Sequence, residues 1–311
     1  MTRYFFTRLA GAIPTLFIII TLTFFLMRAA PGGPFDQEQT LPPEIVANLE
    51  SAYGLDQPVW VQYGRYLKSL LHGDFGPSFK YKDFTVTELI GQGFPVTLQL
   101  GLMAMALALL AGVPLGTFAA LHHNSAADYA TMSLAVAGIA IPSFVVLPFL
   151  GLLFGVYLHW LPVAGWEPGS LRHLALPVLA LALPPLAYIA RLTRGSMLEV
   201  LRSHYIRTAF AKGLPLHTVI MRHALRPALT PVASYLVPAV ASILTGSLVV
   251  ESIAGLPGIG RYLVQGAINR DYTLVLGMVI IYSTLLIGMG LAVDLLYAWL
   301  DPRVRLAKEP F

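Results

Sequence analysis

The stretch that decides the fold reads FPVTLQLGLMAMALALLAGVPLGTFAAL, Phe94 to Leu121, and holds no Asp, Glu, Lys or Arg. A helix rises 1.5 Å per residue, so about 20 apolar residues cross the roughly 30 Å of hydrocarbon in a bilayer. Five further blocks lack those four residue types: Leu9–Met27, Tyr129–Trp166, Leu174–Ala190, Pro227–Val250 and Tyr272–Val293. Tyr129–Trp166 is too long for one span and must contain an exit loop, placed at His159–Glu167. Six transmembrane helices are therefore expected. Composition agrees: 56% of the 311 residues are hydrophobic and 12% are charged, against about 25% charged in soluble domains.

Arg3 and Arg8 precede the first block as in a secretory signal. Its 19 apolar residues exceed the usual 7–15, and Met27-Arg28-Ala29-Ala30-Pro31 is a poor cleavage context. It is read as a retained helix. The absence of cysteine excludes disulfides, thiol catalysis and thiolate metal sites. A net charge of +4 does not call for nucleic acid, because the basic residues fall where a membrane protein places them. With the N-terminus inside, the inner segments hold Arg3, Arg8, Arg191, Arg194, Arg202, Arg207, Lys212, Arg222, Arg226, Arg303, Arg305 and Lys308. The short outer segments hold Arg172, Arg261 and Arg270; both termini are expected in the cytoplasm. Arg28, Arg65, Lys68, Lys80 and Lys82 belong to a long outer insertion, about residues 28–93, whose charges count little, and the inner loop His122–Asp128 has no Lys or Arg.

Within the insertion, Pro31-Gly-Gly-Pro34 ends the first helix. Pro43 and Pro58 then open two short amphipathic helices expected to lie on the outer membrane face, with Ile45, Leu49 and Tyr53, and then Tyr63, Tyr66, Leu67, Leu70 and Leu71, on their apolar sides. Gly112-x-x-x-Gly116 and Gly151-x-x-x-Gly155 allow close helix packing. Pro95, Pro114, Pro142 and Pro148, in or beside the second and third spans, must kink them or leave carbonyls unpaired, and Trp160, Trp166, Tyr272, Tyr297 and Trp299 suit the interfaces. No charge lies at mid-span: Glu251 and Asp294 sit at helix ends, which argues against a proton-driven carrier.

There is no G-x-x-x-x-G-K-[ST] loop, G-x-S-x-G elbow or H-E-x-x-H pair, so the chain carries no recognisable catalytic motif. His122-His123 reads as a pair of ordinary interfacial histidines, and no metal site is expected. Energy for any transport must come from another chain.

The informative inner loop is Arg191–Arg226. Met197, Leu198, Leu201, Tyr205 and Ala209 place an apolar stripe on a basic helix; Lys212 lies in its last turn, Gly213 caps it, and Pro215 opens a second helix. Two readings stand side by side: a knuckle for a partner's groove, or an amphipathic helix resting on anionic lipid. On the outer side, Gly255, Pro257, Gly258 and Gly260 force a tight turn. It is read either as a projection into a channel mouth or as a compact turn, with Asn269 or Asp271 capping the last span.

Tyr205-Ile-Arg-Thr-Ala-Phe-Ala-Lys-Gly213-Leu-Pro, followed by Arg222-His-Ala-Leu-Arg226-Pro, resembles the cytoplasmic signature loop of ABC-importer permeases. Arg207, Thr208 and Ala209 stand at the positions of the widespread Glu-Ala-Ala, with Gly213 in register, as in the peptide and nickel branch. Phe210 replaces an expected Arg, and Arg226 a Pro. Gly54-Leu-Asp-Gln-Pro58, Gly73–Phe79, Ile141-Pro-Ser-Phe144, Trp160-Leu-Pro162, Gly255–Gly260, Asn269-Arg270-Asp271-Tyr272, Asp294–Tyr297 and Asp301-Pro-Arg303 extend the likeness along the whole chain. Pro42-Pro-Glu and Phe79-Lys-Tyr-Lys-Asp83 are similar to the oligopeptide members, B-type permease subunits.

The resemblance implies an all-α, type I importer fold forming a single permease domain over 1–311, in a bacterial inner membrane. It implies ATPase docking at Leu201, Tyr205, Arg207, Thr208, Ala209, Lys212, Gly213, Leu214, Pro215 and His223. The periplasmic mouth would be formed by Gly255, Pro257, Gly258, Gly260, Asn269, Arg270 and Asp271. Implied partners are a second homologous permease, two ATP-binding subunits that carry the ATP-Mg, a periplasmic peptide-binding protein and membrane lipid; this chain would bind no cofactor. A dipeptide or nickel permease shares these motifs, and a self-sufficient channel remains a different class.

Overall fold

The structure, a computed structural model, describes residues 2–30, 33, 42–81 and 83–300. The predicted helix break at Pro31–Pro34 (Gly33 excepted), Lys82, and the final Asp301-Pro-Arg303 with Arg305 and Lys308 lie outside the described residues. Helix follows helix: α1 (Thr2–Ala29), α2 (Pro43–Ala52), α3 (Val59–Leu71), α4 (Val86–Leu121), α5 (Ala126–Ala140), α6 (Ser143–Leu150), α7 (Leu171–Leu201), α8 (His204–Ala211), α9 (Leu216–Thr218), α10 (Leu225–Ala228), α11 (Thr230–Ala254), α12 (Ile259–Ile268) and α13 (Tyr272–Leu300). Wider π-helical turns continue α6 over Gly151–Tyr157 and α9 over Val219–Ala224.

Among the described residues, five helices are long and apolar enough to cross a bilayer: Ala10–Ala29 of α1, α4, α7, α11, and Tyr272–Val293 of α13. Where the sixth span was expected stands a bent pair, α5 and α6 with its π turn, whose 107° angle fits a broken span or a re-entrant loop. The break sits at Ile141, which is extended (φ −96°, ψ 120°). Pro142 follows it, and a proline's ring disfavours the helical conformation at the residue before it. The chain leaves this pair through residues 158–170, around the predicted exit.

The chain divides into two compact units. One joins Met1–Leu98 to Gly255–Leu285. Here the aromatic face of α3 packs against protein: Tyr66, with Tyr63, Leu67 and Leu70, sits in one cluster with Ile20 and Phe24 of α1 and Leu276 and Ile280 of α13. The two short helices form where expected; on α3, Tyr63, Tyr66, Leu67 and Leu70 pack against α1 and α13, while Leu71 of the same stripe is exposed. Tyr63 shares a 2.6 Å hydrogen bond with the hydroxyl of Thr21, a position about 12 Å below the end of α1 by helix rise. A second cluster joins Val86, Leu89 and Ile90 of α4 to Ile259 of α12 and to Leu274 and Met278 of α13.

The other unit comprises Gln99–Ala254 and Leu286–Phe311, with α7 at its centre; α5, α6 and α11 all pack on α7. Apolar side chains gain little by leaving lipid for protein, so backbone proximity has to hold such helices together. Gly112 and Gly116 supply it. A Cβ on Gly112 would stand 2.8 Å from the Leu186 carbonyl oxygen, and one on Gly116 would collide with the Ala190 carbonyl. The other small-residue pair works differently: Gly151 and Gly155 make room for the returning exit segment, whose Val163 lies against both. Gly116→Leu is expected to force α4 off α7 and destabilise the protein by about 1–3 kcal/mol, read as a lower melting temperature in detergent; an unchanged midpoint would show that the contact is dispensable.

Candidate functional site

The basic corner begins where α7 stops. Arg202 N–H donates to the Glu199 carbonyl and Ser203 N–H to that of Val200 (3.2 and 3.0 Å), and the Ser203 hydroxyl takes the same Val200 oxygen at 2.6 Å. Ser203 is extended (ψ 154°), and α8 starts at His204. The stripe from Met197 to Ala209, read as one helix, is therefore cut in two by a turn that the apolar spacing does not reveal. Gly213 ends α8 at φ +77°. Its N–H donates to the Phe210 carbonyl at 2.9 Å and Leu214 N–H to the Ala209 carbonyl at 3.3 Å. This is the paired bonding of a glycine-capped helix end. Pro215 then opens α9, with Val219 N–H on its carbonyl at 3.1 Å.

These turns fold the corner onto itself. Met197, Ile206, Ala209, Val219, Ile220, Ala224 and Ala228 form one buried core with Ala120, and Leu201 and Leu214 pack against it. Of the residues nominated for docking, Ala209 is buried and Leu201 and Leu214 are half-buried, whereas Tyr205, Arg207, Thr208, Lys212, Gly213, Pro215 and His223 are exposed. Of the stripe, Met197 and Ala209 are thus interior and Leu198 and Leu201 half-buried, while Tyr205 is exposed. What faces outward is apolar (Tyr205, Phe210, Leu216 and Met221) and basic: Arg202, Arg207, Lys212, Arg222 and Arg226, with no acid between residues 202 and 226. Such a surface suits an acidic groove with an apolar floor.

Sequence reasoning missed a neighbour of this corner. Arg194, two turns before the end of α7, grips Asp128 of α5 with both arms, Nε to Oδ1 at 2.5 Å and Nη2 to Oδ2 at 2.6 Å. Asp128 is fully buried and also accepts from Asn124 N–H at 3.0 Å, with His123 Nδ1 at 3.5 Å. The signal in the sequence was weak: one acid in the inner loop without Lys or Arg, and an arginine 66 positions away. Among the described residues, no group of three or more His, Cys, Asp or Glu comes together as a metal site.

The glycine turn lies in the other unit. Gly255 is left-handed (φ +68°), and Arg261 Nη1 donates to its carbonyl at 3.3 Å. Gly258 leads into α12, a ten-residue helix where a bare turn was expected. The backbone at Gly258 and Ile259 comes so near Gly93 that a Cβ there would sit 3.0 Å from the Ile259 nitrogen. Ile259 N–H donates to the Thr97 hydroxyl at 3.0 Å. Gly260 is buried and Pro257 half-buried, so these residues tie the turn to α4. Asn269 ends α12, and Arg270 is left-handed at φ +54°.

Asp271 is fully buried and does two jobs. Its Oδ1 accepts from Leu274 N–H at 3.1 Å, capping α13 as expected. Its Oδ2 accepts from the Ser78 hydroxyl (2.5 Å) and from the N–H groups of Phe79 (3.0 Å) and Lys80 (3.2 Å), clamping the end of the insertion. Asp271→Ala removes the cap and leaves those donors without it, so a loss of about 2–3 kcal/mol is expected. Limited proteolysis should then cut near residue 80 in the variant and not in the wild type; equal resistance would mean that the clamp does not hold the segment.

Two family profiles match the chain: "Binding-protein-dependent transport system inner membrane component" over residues 112–306, and its N-terminal companion over residues 1–101. The oligopeptide transport system permease protein OppB of Escherichia coli (strain K12) is 54% identical over 305 residues, covering 98% of this chain and 100% of that protein. The dipeptide transport system permease protein DppB of Bacillus subtilis (strain 168) is 47% identical over 309 residues, 99% and 100% of the two chains. Among solved structures, the MetNI methionine ABC transporter in inward-facing conformations matches at a TM-score of 0.56 with 16% identity, covering 68% of this chain and 96% of that one. At that identity the match speaks for the fold alone.

Proposed function

The chain belongs to the family of binding-protein-dependent transport system inner membrane components, and on that premise we propose that it is the permease subunit of an ATP-driven importer of oligopeptides. The observation that carries the reading is the full-length 54% identity to a permease named for oligopeptide transport. The relative named for dipeptides, at 47%, supports the shorter cargo less.

In this reading the whole chain, residues 1–311, acts as one permease domain in a bacterial inner membrane, with both termini and the 191–226 loop in the cytoplasm and the 28–93 insertion in the periplasm. A periplasmic peptide-binding protein delivers cargo near the Gly255–Gly260 turn and Asn269-Arg270-Asp271. Two partner subunits bind ATP-Mg and hydrolyse it; this chain binds none and catalyses nothing. Their closure pushes on the knuckle, chiefly on Tyr205, Arg207, Thr208, Lys212, Pro215 and His223. A second, homologous permease supplies the other half of the path, which opens alternately to the two sides. Ligands drive such a change only through contacts that differ between its two states, and here those contacts are the nucleotides on the partners.

The test is recovery of the chain from its native membrane in mild detergent, with subunits identified and ATPase activity assayed. One homologous permease and two ATP-binding chains, with peptide-stimulated hydrolysis, are expected. The chain alone, under conditions that keep other complexes intact, would overturn the importer reading in favour of a channel.

A further inference from the structure

The exit segment is folded back over the end of α6 by bonds of its own. Trp160 and Leu161 N–H both donate to the Phe154 carbonyl (2.8 and 3.1 Å), and Val163 lies against Gly151 and Gly155. Arg172, in the first turn of α7, reaches across and donates through Nη2 to the Trp160 carbonyl at 2.8 Å. These residues border a pocket of about 330 Å³, within the range of small-ligand sites. Its charged lining comes from both sides: Arg172 and His173 from α7, Glu167 and His159 from the exit segment. His173 Nδ1 is placed by the Ser170 hydroxyl at 3.0 Å and stands 3.8 Å from the Glu167 carboxylate. His159 is left-handed, φ +55°, and such backbone away from glycine gathers at functional sites.

A fixed cation close to a fixed carboxylate suits a guest that carries both signs. The planar fork of an arginine matches the oxygens of a phosphate, and a carboxylate accepts from an ammonium. The surroundings say where such a guest comes from. The pocket lies at the end of the apolar run formed by α6 and its π turn. Leu158 and Leu171, next in the chain to lining residues, stand exposed there with Tyr157 and Trp160. Tyrosine and tryptophan at the end of an apolar helix mark the headgroup level of a bilayer, and basic pockets between helices at that level take lipid headgroups. A peptide also carries both signs, but at opposite ends of its chain, and it brings no acyl chains to cover the apolar rim.

We propose that Arg172, His173 and Glu167 form a binding site for the headgroup of a zwitterionic phospholipid, a phosphoethanolamine. The phosphate lies between Arg172 and His173, the ammonium meets Glu167, and the acyl chains run along Leu158 and Leu171. The lipid pins the exit segment to the start of α7, whatever the chain transports.

The test uses the full chain with its co-purifying subunits in detergent, melted with short-chain phosphatidylethanolamine, phosphatidylcholine or phosphatidylglycerol, or with inorganic phosphate. Phosphatidylethanolamine is expected to raise the wild-type midpoint at the lowest concentration, because choline has no ammonium N–H to give and glycerol no positive charge. Arg172→Gln should weaken the binding of every lipid about tenfold, the loss of one charge-assisted hydrogen bond. The Glu167 side chain is 69% exposed, and Glu167→Gln leaves the backbone bonds of the segment untouched. That variant should bind phosphatidylglycerol as before and lose about threefold in its preference for phosphatidylethanolamine, the size of an exposed ion pair. Lipids held elsewhere act alike on wild type and variants and drop out of the comparison. The site is overturned if Arg172→Gln keeps the wild-type affinities, if Glu167→Gln keeps the preference, or if free phosphate or a short peptide protects as well as the lipid.

Discussion

Replacing Gly213 by valine is expected to reduce peptide uptake at least tenfold while the protein is still inserted at normal abundance. The reasoning is conformational. Gly213 is held at φ +77°, and nothing lies within 4 Å of where a Cβ would sit. A valine therefore clashes with no neighbour and acts only through the backbone, where the left-handed region costs an L-residue about 1–2 kcal/mol and a β-branched one most. That is too little to unfold the chain but enough to unseat the bonds to Phe210 and Ala209, and with them the tilt of α8. Asparagine tolerates the left-handed region, so Gly213→Asn should transport nearly as well as the wild type. Radiolabelled peptide uptake into cells, normalised to the amount of chain in the membrane, makes the comparison. Full uptake by the valine variant would separate the knuckle from transport.

Asp128→Ala is expected to have the largest effect on stability, about 3–5 kcal/mol, because breaking a buried pair leaves the other charge uncompensated. Arg194 is about a quarter exposed, which favours the lower end of that range. The double replacement Asp128→Leu with Arg194→Leu should recover most of the loss, since an apolar pair of similar volume leaves no orphan charge. Thermal unfolding of the wild type, Asp128→Leu, Arg194→Leu and the double variant gives the coupling energy. A double variant as unstable as the single one would mean that Asp128 matters through Asn124 or His123 rather than through Arg194.

The spans were legible because a bilayer's thickness translates directly into a length of uncharged chain. The end of α8 was legible because few residues besides glycine enter the left-handed region, and Asp271 because a carboxylate before a helix has one obvious job. Four features were not legible. The turn at Arg202 and Ser203 falls inside a stripe spaced at four residues, so the pattern runs unbroken across it. The helix α12 is ten residues with Gly260 and Gly266 in it, too short and too glycine-rich to outweigh the turn signals around it. The Asp128–Arg194 pair and the Asp271 clamp on Ser78 join residues far apart in the chain, and a single sequence carries no mark of such distant partners. Pro142 lay between: its kink was predicted, but an angle of 107° depends on how α5 and α6 pack on α7 and cannot be read from a proline alone.

The shared core beneath the knuckle has a mechanical consequence. Because Ile206, Val219 and Ala224 are packed into the same core as Met197, the corner cannot be pressed without α7 moving with it. At 31 residues, α7 is about 47 Å long, so in the proposed importer a tilt of about 5° at the knuckle end would carry the far end through about 4 Å. Pro177, Pro184 and Pro185 mark where the helix would bend instead of transmitting that tilt whole.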